Sequence, residues 1–218
     1  LDAFTLQLKH WKNNAGQTQI QIIDQDTGKG GMGYYNSIKV DGLGNPHVSY
    51  YYLQKPDGSI ADDLEYASAT GTSWAPQFID RDAERGKYNS LALDPQGNPH
   101  ISYFDNVGDL RYARWNPGTS AWTTEIVDST GDSGRFNSIA IDAQGRPHIS
   151  YLAGGSLTLR YAYSDGVNWF TEEITSVGGV VNGSVTSLAL DKDGYARIAY
   201  YNATEHALRY AIQYPGGG

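Results

Sequence analysis

One phrase is written four times in this chain: NSIKVDGLGNPHVSYYY at 36–52, NSLALDPQGNPHISYFD at 89–105, NSIAIDAQGRPHISY at 137–151 and TSLALDKDGYARIAYYN at 186–202. A catalytic motif occurs once, so a phrase that recurs is first of all architecture. With Asp41, Asp94, Asp142 and Asp191 as register marks, the period is about 50 residues, a length typical of propellers and solenoids. Within each period the first run alternates. Leu91 and Leu93, Ile139 and Ile141, and Leu188 and Leu190 fall on one face, while Ser90, Ala92, Ser138, Ala140, Ser187 and Ala189 fall on the other. A face of such small residues admits another layer at close range.

A turn follows (DPQGNP, DAQGRP, DKDGYA), in which Gly97, Gly145 and Gly194 can take positive φ and Pro99 or Pro147 sets the entry to the next strand. The second strand is PHISY and the third is LEYAS, LRYAR, LRYAY or LRYAI. The fourth opens at Trp74, Trp122 or Trp169. No segment has helical periodicity with caps. A four-stranded meander at this period, with aromatics at fixed places, is the pattern of a β-propeller blade, and radial stacking buries the faces that one blade leaves wet.

The last repeat supplies three strands and ends before a Trp-type fourth, whereas QTQIQIID (17–24) matches the end of WTTEIVD (122–128), so that Asp24 corresponds to Asp80 and Asp128. The expectation is an all-β propeller of four-stranded antiparallel blades. We expect four blades in a single domain over 1–214, a flexible Gly-rich tail at 215–218, and an N-terminal strand that closes the last blade in Velcro fashion. LQLKHW (6–11) also resembles the third strand LRYARW (110–115), which leaves five blades or an intermolecular ring as alternatives.

Over nearly the whole chain the phrase xSLALDxxGxPHISYxD…LRYA…W resembles bacterial extracellular propeller repeats of the NHL-like and BNR-like kind. The S-x-D-x-G-x-x-W box of sialidase-type repeats is missing. The resemblance implies a lectin-like propeller, secreted or at the cell surface. Its ligand site would lie on the face where the fourth-to-first and second-to-third strand loops gather.

Composition narrows the partners. A formal charge of −8 without any Lys/Arg-rich run argues against nucleic acid, and no apolar run reaches the roughly 20 residues of a membrane-spanning helix, so no membrane insertion is expected. With 0 Cys there are neither disulfides nor thiolate metal sites. Leu1 in place of Met suggests a processed N-terminus.

Several side chains invite a chemical reading. His47, His100 and His148 occupy one repeat position, with Arg197 in the fourth, and packing with hydrogen bonding is the better reading than metal ligation. Arg111, Arg160 and Arg209, replaced by Glu65 in the first repeat, read as structural ion pairs. The four Asp register marks suit Asx-type turns, and Asp191-Lys192-Asp193-Gly194 lacks the later ligands of a calcium loop. No cofactor or metal is expected.

The connections into each first strand vary while the strands do not, so ligand selection is expected there. The candidate ligand-binding residues are Tyr34, Tyr35, Asn36, Lys87, Tyr88, Asn89, Arg135, Phe136 and Asn137. Aromatic faces beside amides and charges suit sugars, although each Asn could equally cap its loop. No nucleophile elbow, zinc or phosphate motif is present, and the first-strand interiors carry Ser, Ala and Lys39 rather than paired carboxylates. The leading expectation is therefore a non-enzymatic, carbohydrate-binding propeller. Behind it stand an assembly module that self-associates through its chain ends and a glycoside hydrolase-like propeller.

Overall fold

The computed structural model describes residues 7–14, 17–25, 31–54, 60–81, 85–154, 157–179 and 185–214, and no helix occurs among them. A hairpin comes first, β1 (Gln7–Asn14) with β2 (Gln17–Gln25). The first four-stranded sheet is β3 (Gly31–Val40), β4 (Pro46–Gln54), β5 (Ile60–Thr70) and β6 (Ser73–Asp80). The second is β7 (Arg85–Leu93), β8 (Pro99–Asp105), β9 (Leu110–Asn116) and β10 (Ala121–Asp128). The third is β11 (Ser133–Ile141), β12 (Pro147–Ala153), β13 (Thr158–Ser164) and β14 (Trp169–Ser176). A three-stranded sheet, β15 (Thr186–Leu190), β16 (Ala196–Asn202) and β17 (Ala207–Ile212), comes last. The expected all-β class and antiparallel meander are therefore both present. The chain divides into two compact units, Leu1–Lys87 and Tyr88–Gly218.

The turn between first and second strands is built the same way four times. The Asp41 carboxylate accepts the N–H groups of Leu43 and Asn45 at 2.9 and 2.8 Å, and Asp94, Asp142 and Asp191 do the same two and four residues ahead of themselves. The glycine of each turn, at φ between +79° and +87°, donates its N–H back to the Asp carbonyl. Recurrence of the Asp is thus explained by backbone capping.

Each central strand carries the core. Tyr50, Tyr103 and Tyr151 of the second strands, and Leu64, Leu110 and Leu159 of the third, are fully buried. Within Tyr88–Gly218 the small face of the first strands lets neighbouring sheets be stitched together. Ser90 Oγ accepts the Ile139 N–H at 3.3 Å and Ser138 Oγ accepts the Leu188 N–H at 3.1 Å. Glycine sets the closest approach: a Cβ on Gly134 would stand 2.8 Å from Leu110 Cα, and one on Gly86 2.9 Å from Leu64 Cα.

The N-terminal segment forms a hairpin. Along one of its two edges β2 pairs with β1, from Gln7↔Gln25 to Asn14↔Gln17. Only two residues separate these strands, so pairing them costs little loop-closure entropy. Among the described residues the last sheet has three strands.

Candidate functional site

The expected site residues fall on a backbone feature shared by three sheets. In β3, β7 and β11 the segment Gly-x-Tyr/Phe-Asn forms a bulge, with Tyr35, Tyr88 and Phe136 at φ of 50°, 53° and 53°. A non-glycine residue held there costs on the order of 1–3 kcal/mol and needs a compensating contact. The Asn supplies it: Asn36 Nδ2 donates to the Gly33 carbonyl and Asn137 Nδ2 to that of Gly134, both at 2.8 Å. Asn137 also accepts the Ser102 hydroxyl at 2.6 Å, and Asn89 is buried. Asn36 and Asn137 are therefore caps of the bulge.

The aromatic residues gather in two groups, one in each unit. Within Tyr88–Gly218, Tyr88 packs on Phe136 with centroids 4.6 Å apart and on Phe104 at 5.9 Å, while the Arg135 guanidinium lies 4.9 Å from the Phe104 ring. Arg135 is also paired with Asp132 at 3.1 Å. Within Leu1–Lys87, Tyr35 stands edge-on to Tyr51 at 6.0 Å, and the Lys87 ammonium lies 5.8 Å from the same ring. Tyr34 and Tyr35 stay exposed.

The histidines belong to a repeated relay. Nδ1 of His47, His100 and His148 shares a hydrogen bond with the hydroxyl of Tyr66, Tyr112 and Tyr161 on the adjacent third strand, and Nε2 lies 3.6, 3.6 and 3.5 Å from the turn carboxylates Asp41, Asp94 and Asp142. Burial holds all three imidazoles below the ordinary histidine value despite these carboxylates, and burial pushes the tyrosine hydroxyls up. The arginines pair as expected. Arg111 bonds Asp105, Arg209 bonds Glu205, and Arg160 reaches Asp128 at 3.0 Å, where Tyr151 also donates at 2.7 Å. Among the described residues no cluster of His, Asp and Glu could hold a metal ion.

A second location was not anticipated. Between the second and third sheets, within Tyr88–Gly218, lies a cleft of about 140 Å³ lined by His100, Tyr112, Arg114, Glu125, Arg146 and Trp169 among others. The buried His100–Tyr112 pair forms a polar floor that is neutral at pH 7. Arg114 and Glu125 are exposed, and the Trp169 indole stands edge-on to Tyr112 at 5.2 Å. Two guanidiniums, one carboxylate and an aromatic wall over a neutral floor can grip a ligand that carries both hydroxyls and C–H faces.

The corresponding positions elsewhere carry different chemistry. Beside the N-terminal hairpin they are His10 and Gln21, with Trp74 donating its indole N–H to Gln21 at 3.3 Å and standing edge-on to His10 at 5.4 Å. In the third sheet they are Tyr163 and Glu172. A signal for this cleft existed in the sequence: the residue after LxYA changes from Ser68 to Arg114 to Tyr163 while the Tyr-Ala before it holds constant.

No family model matches the chain, and no curated protein does. Solved structures do. The lectin of Aleuria aurantia, in complex with Fucα1-6GlcNAc, is 13% identical with a TM-score of 0.59, over 84% of this chain and 60% of that one. AofleA from Arthrobotrys oligospora is 16% identical with a TM-score of 0.60, over 97% and 63%. An ulvan lyase from a new family of polysaccharide lyases is 17% identical with a TM-score of 0.55, over 89% and 57%. The chain spans less than two thirds of each of these structures. At such identities the likeness establishes the fold, and that fold is the β-propeller of the lectins it resembles.

Proposed function

We propose that this protein is a non-enzymatic carbohydrate-binding propeller, secreted or at the cell surface, and that it takes a sugar ring in the cleft of Tyr112, Arg114, Glu125 and Trp169. The observation that carries this reading is the indole wall beside the Arg114 and Arg146 guanidiniums and one carboxylate, in a space suited to a single ring rather than to a chain. The resemblance to a lectin solved with a fucosylated disaccharide supports the choice of ligand class. A hydrolase is less well supported, because glycoside hydrolysis calls for a pair of carboxyl groups and Glu125 is the one acid lining this cleft among the described residues. The NHL-like or BNR-like nature of the repeats belongs to the same proposal and rests on the repeated phrase alone.

The bulge residues are the competing location, favoured by the exposure of Tyr34 and Tyr35. A glycan array followed by calorimetry tests both. Arg114→Ala and Trp169→Ala should each weaken binding at least tenfold with the far-ultraviolet spectrum unchanged. Loss with Tyr88→Ala and Phe136→Ala alone would move the site to the bulges, and silence of the wild-type protein across a broad array would remove the carbohydrate reading.

A further inference from the structure

The cleft of Arg114 and Trp169 has a counterpart within Leu1–Lys87. Beside the N-terminal hairpin lies a space of about 320 Å³, lined by His10 and Gln21 of the hairpin, Val40 of β3, and Leu43 and Asn45 of the turn that follows. The repeat register makes these the same positions as in the first cleft. His10 stands where Arg114 does, Gln21 where Glu125 does and Asn45 where Arg146 does, and Trp74 matches Trp169. Among the described residues no Asp, Glu, Lys or Arg lines this second space. A ligand charge buried here would meet no counter-charge, so the space suits an uncharged ligand.

The two amides are fixed in orientation by partners that bond in one sense only. The Trp74 indole N–H can only donate, and it donates to Gln21 Oε1 at 3.3 Å, so the Gln21 NH2 group is left as a donor. The Asp41 carboxylate, whose pKa the Asn45 side chain lowers to about 2, can only accept. It accepts from Asn45 Nδ2 at 3.0 Å, so Asn45 Oδ1 is left as an acceptor. Val40 and Leu43 are 59% and 89% exposed, two apolar side chains that the fold leaves in water. His10 Nδ1 is buried with no hydrogen-bond partner.

One donor, one acceptor and an apolar rim match a secondary amide that ends in a methyl group. We propose that this cleft is a second ligand site and that it takes an uncharged 2-acetamido sugar. The acetamido carbonyl accepts from Gln21, its N–H donates to Asn45 Oδ1, and its methyl group rests against Val40 and Leu43. A ring hydroxyl is left for His10 Nδ1, whose burial without a partner is otherwise a cost. The first cleft measures about 140 Å³, and the larger space here admits a ring with one substituent. The inference rests on the reading of this protein as carbohydrate-binding and goes beyond it, by giving one chain two sugar sites that differ in charge.

Nuclear magnetic resonance of the full chain labelled with 15N tests this, with methyl N-acetyl-β-glucosaminide and methyl β-glucoside as probes. The acetamido probe should shift the side-chain amides of Gln21 and Asn45 and the indole N–H of Trp74. It should bind at least tenfold more tightly than the glucoside, because a site built to bond an amide rejects an analogue that lacks one. Gln21→Glu keeps the acceptor for Trp74 and replaces the donor, and should weaken the acetamido probe at least tenfold. Val40→Ser alters an exposed side chain and should weaken the acetamido probe alone. Equal affinity for the two probes, or no shift at these three groups, overturns the proposal. So does loss of the acetamido probe with Arg114→Ala rather than with Gln21→Glu, which would place it in the first cleft. Sugar binding that depends on Arg114 while Gln21 and Asn45 stay unshifted removes this site and leaves the first one standing. Silence across the glycan array removes both.

Discussion

Glu65 stands in the third strand where three other repeats have arginine, and it is 2% exposed. In the third sheet the equivalent Arg160 answers Asp128, which also accepts the Tyr151 hydroxyl. In the first sheet Tyr50 donates to Asp24 at 2.7 Å, and the group facing them is a second carboxyl. Burial, together with Asp24 and Asp63, pushes Glu65 up to about 8, while its hydrogen bond with Tyr50 pulls the other way. The folded-state value lies above the unfolded one of about 4.5, so the folded chain holds a proton that the unfolded chain releases. The contribution of this group is fully present below about pH 4.5 and is lost as the pH climbs through about 8. At about 1.4 kcal/mol per pH unit the whole interval amounts to on the order of 5 kcal/mol, most of it already gone at pH 7. Glu65→Gln keeps the shape and a hydrogen-bonding group and removes the titration. Urea denaturation followed by tryptophan fluorescence should give equal stabilities for variant and wild type near pH 4.5. The variant should then gain steadily, to a lead of several kcal/mol by pH 8. A difference that does not change with pH, or a wild-type protein more stable than the variant at pH 8, would refute the reasoning.

The buried imidazoles give the opposite slope. His47, His100 and His148 have folded-state values lowered by burial, so their contribution is complete above about pH 6.5 and lost as the pH falls below it; His148→Gln should flatten the drop in melting temperature between pH 7 and 5. Gly134→Ala should cost about 2–4 kcal/mol, because its φ is +107° and the new methyl would meet Leu110 backbone. Gly145→Ala, at φ +79° but with nothing within 4 Å, should cost only about 1 kcal/mol, and chemical denaturation of the pair separates steric clash from backbone strain.

Much of the fold was legible because its rules are local. Asp142 and Gly145 dictate their turn within four residues, and the alternation in NSIAID dictates which side of β11 is buried. Partner choice between distant strands was harder. Nothing in QTQIQIID says which strand flanks it, and the partner it has in the described ladder is the neighbouring β1. For the candidate site the conserved-looking Asn drew attention, yet Asn36 and Asn137 serve the backbone. The cleft is assembled from Arg114, Glu125 and Trp169, on three strands of two sheets, and no single stretch of sequence contains it. Trp169 reads in the sequence as the start of a fourth strand; it packs on Tyr112 and also leaves part of the indole on the cleft wall.

The seam through Ser90 and Ser138 has a bearing on how such chains lengthen. Each serine serves a backbone group 49 or 50 residues further on, so one full period downstream there is always an amide of the same kind waiting for it. A duplication of one whole period slips between two sheets with every hydroxyl still matched, whereas a gain or loss out of phase leaves buried amides bare. Growth by complete modules, and by nothing smaller, is written into that single hydroxyl.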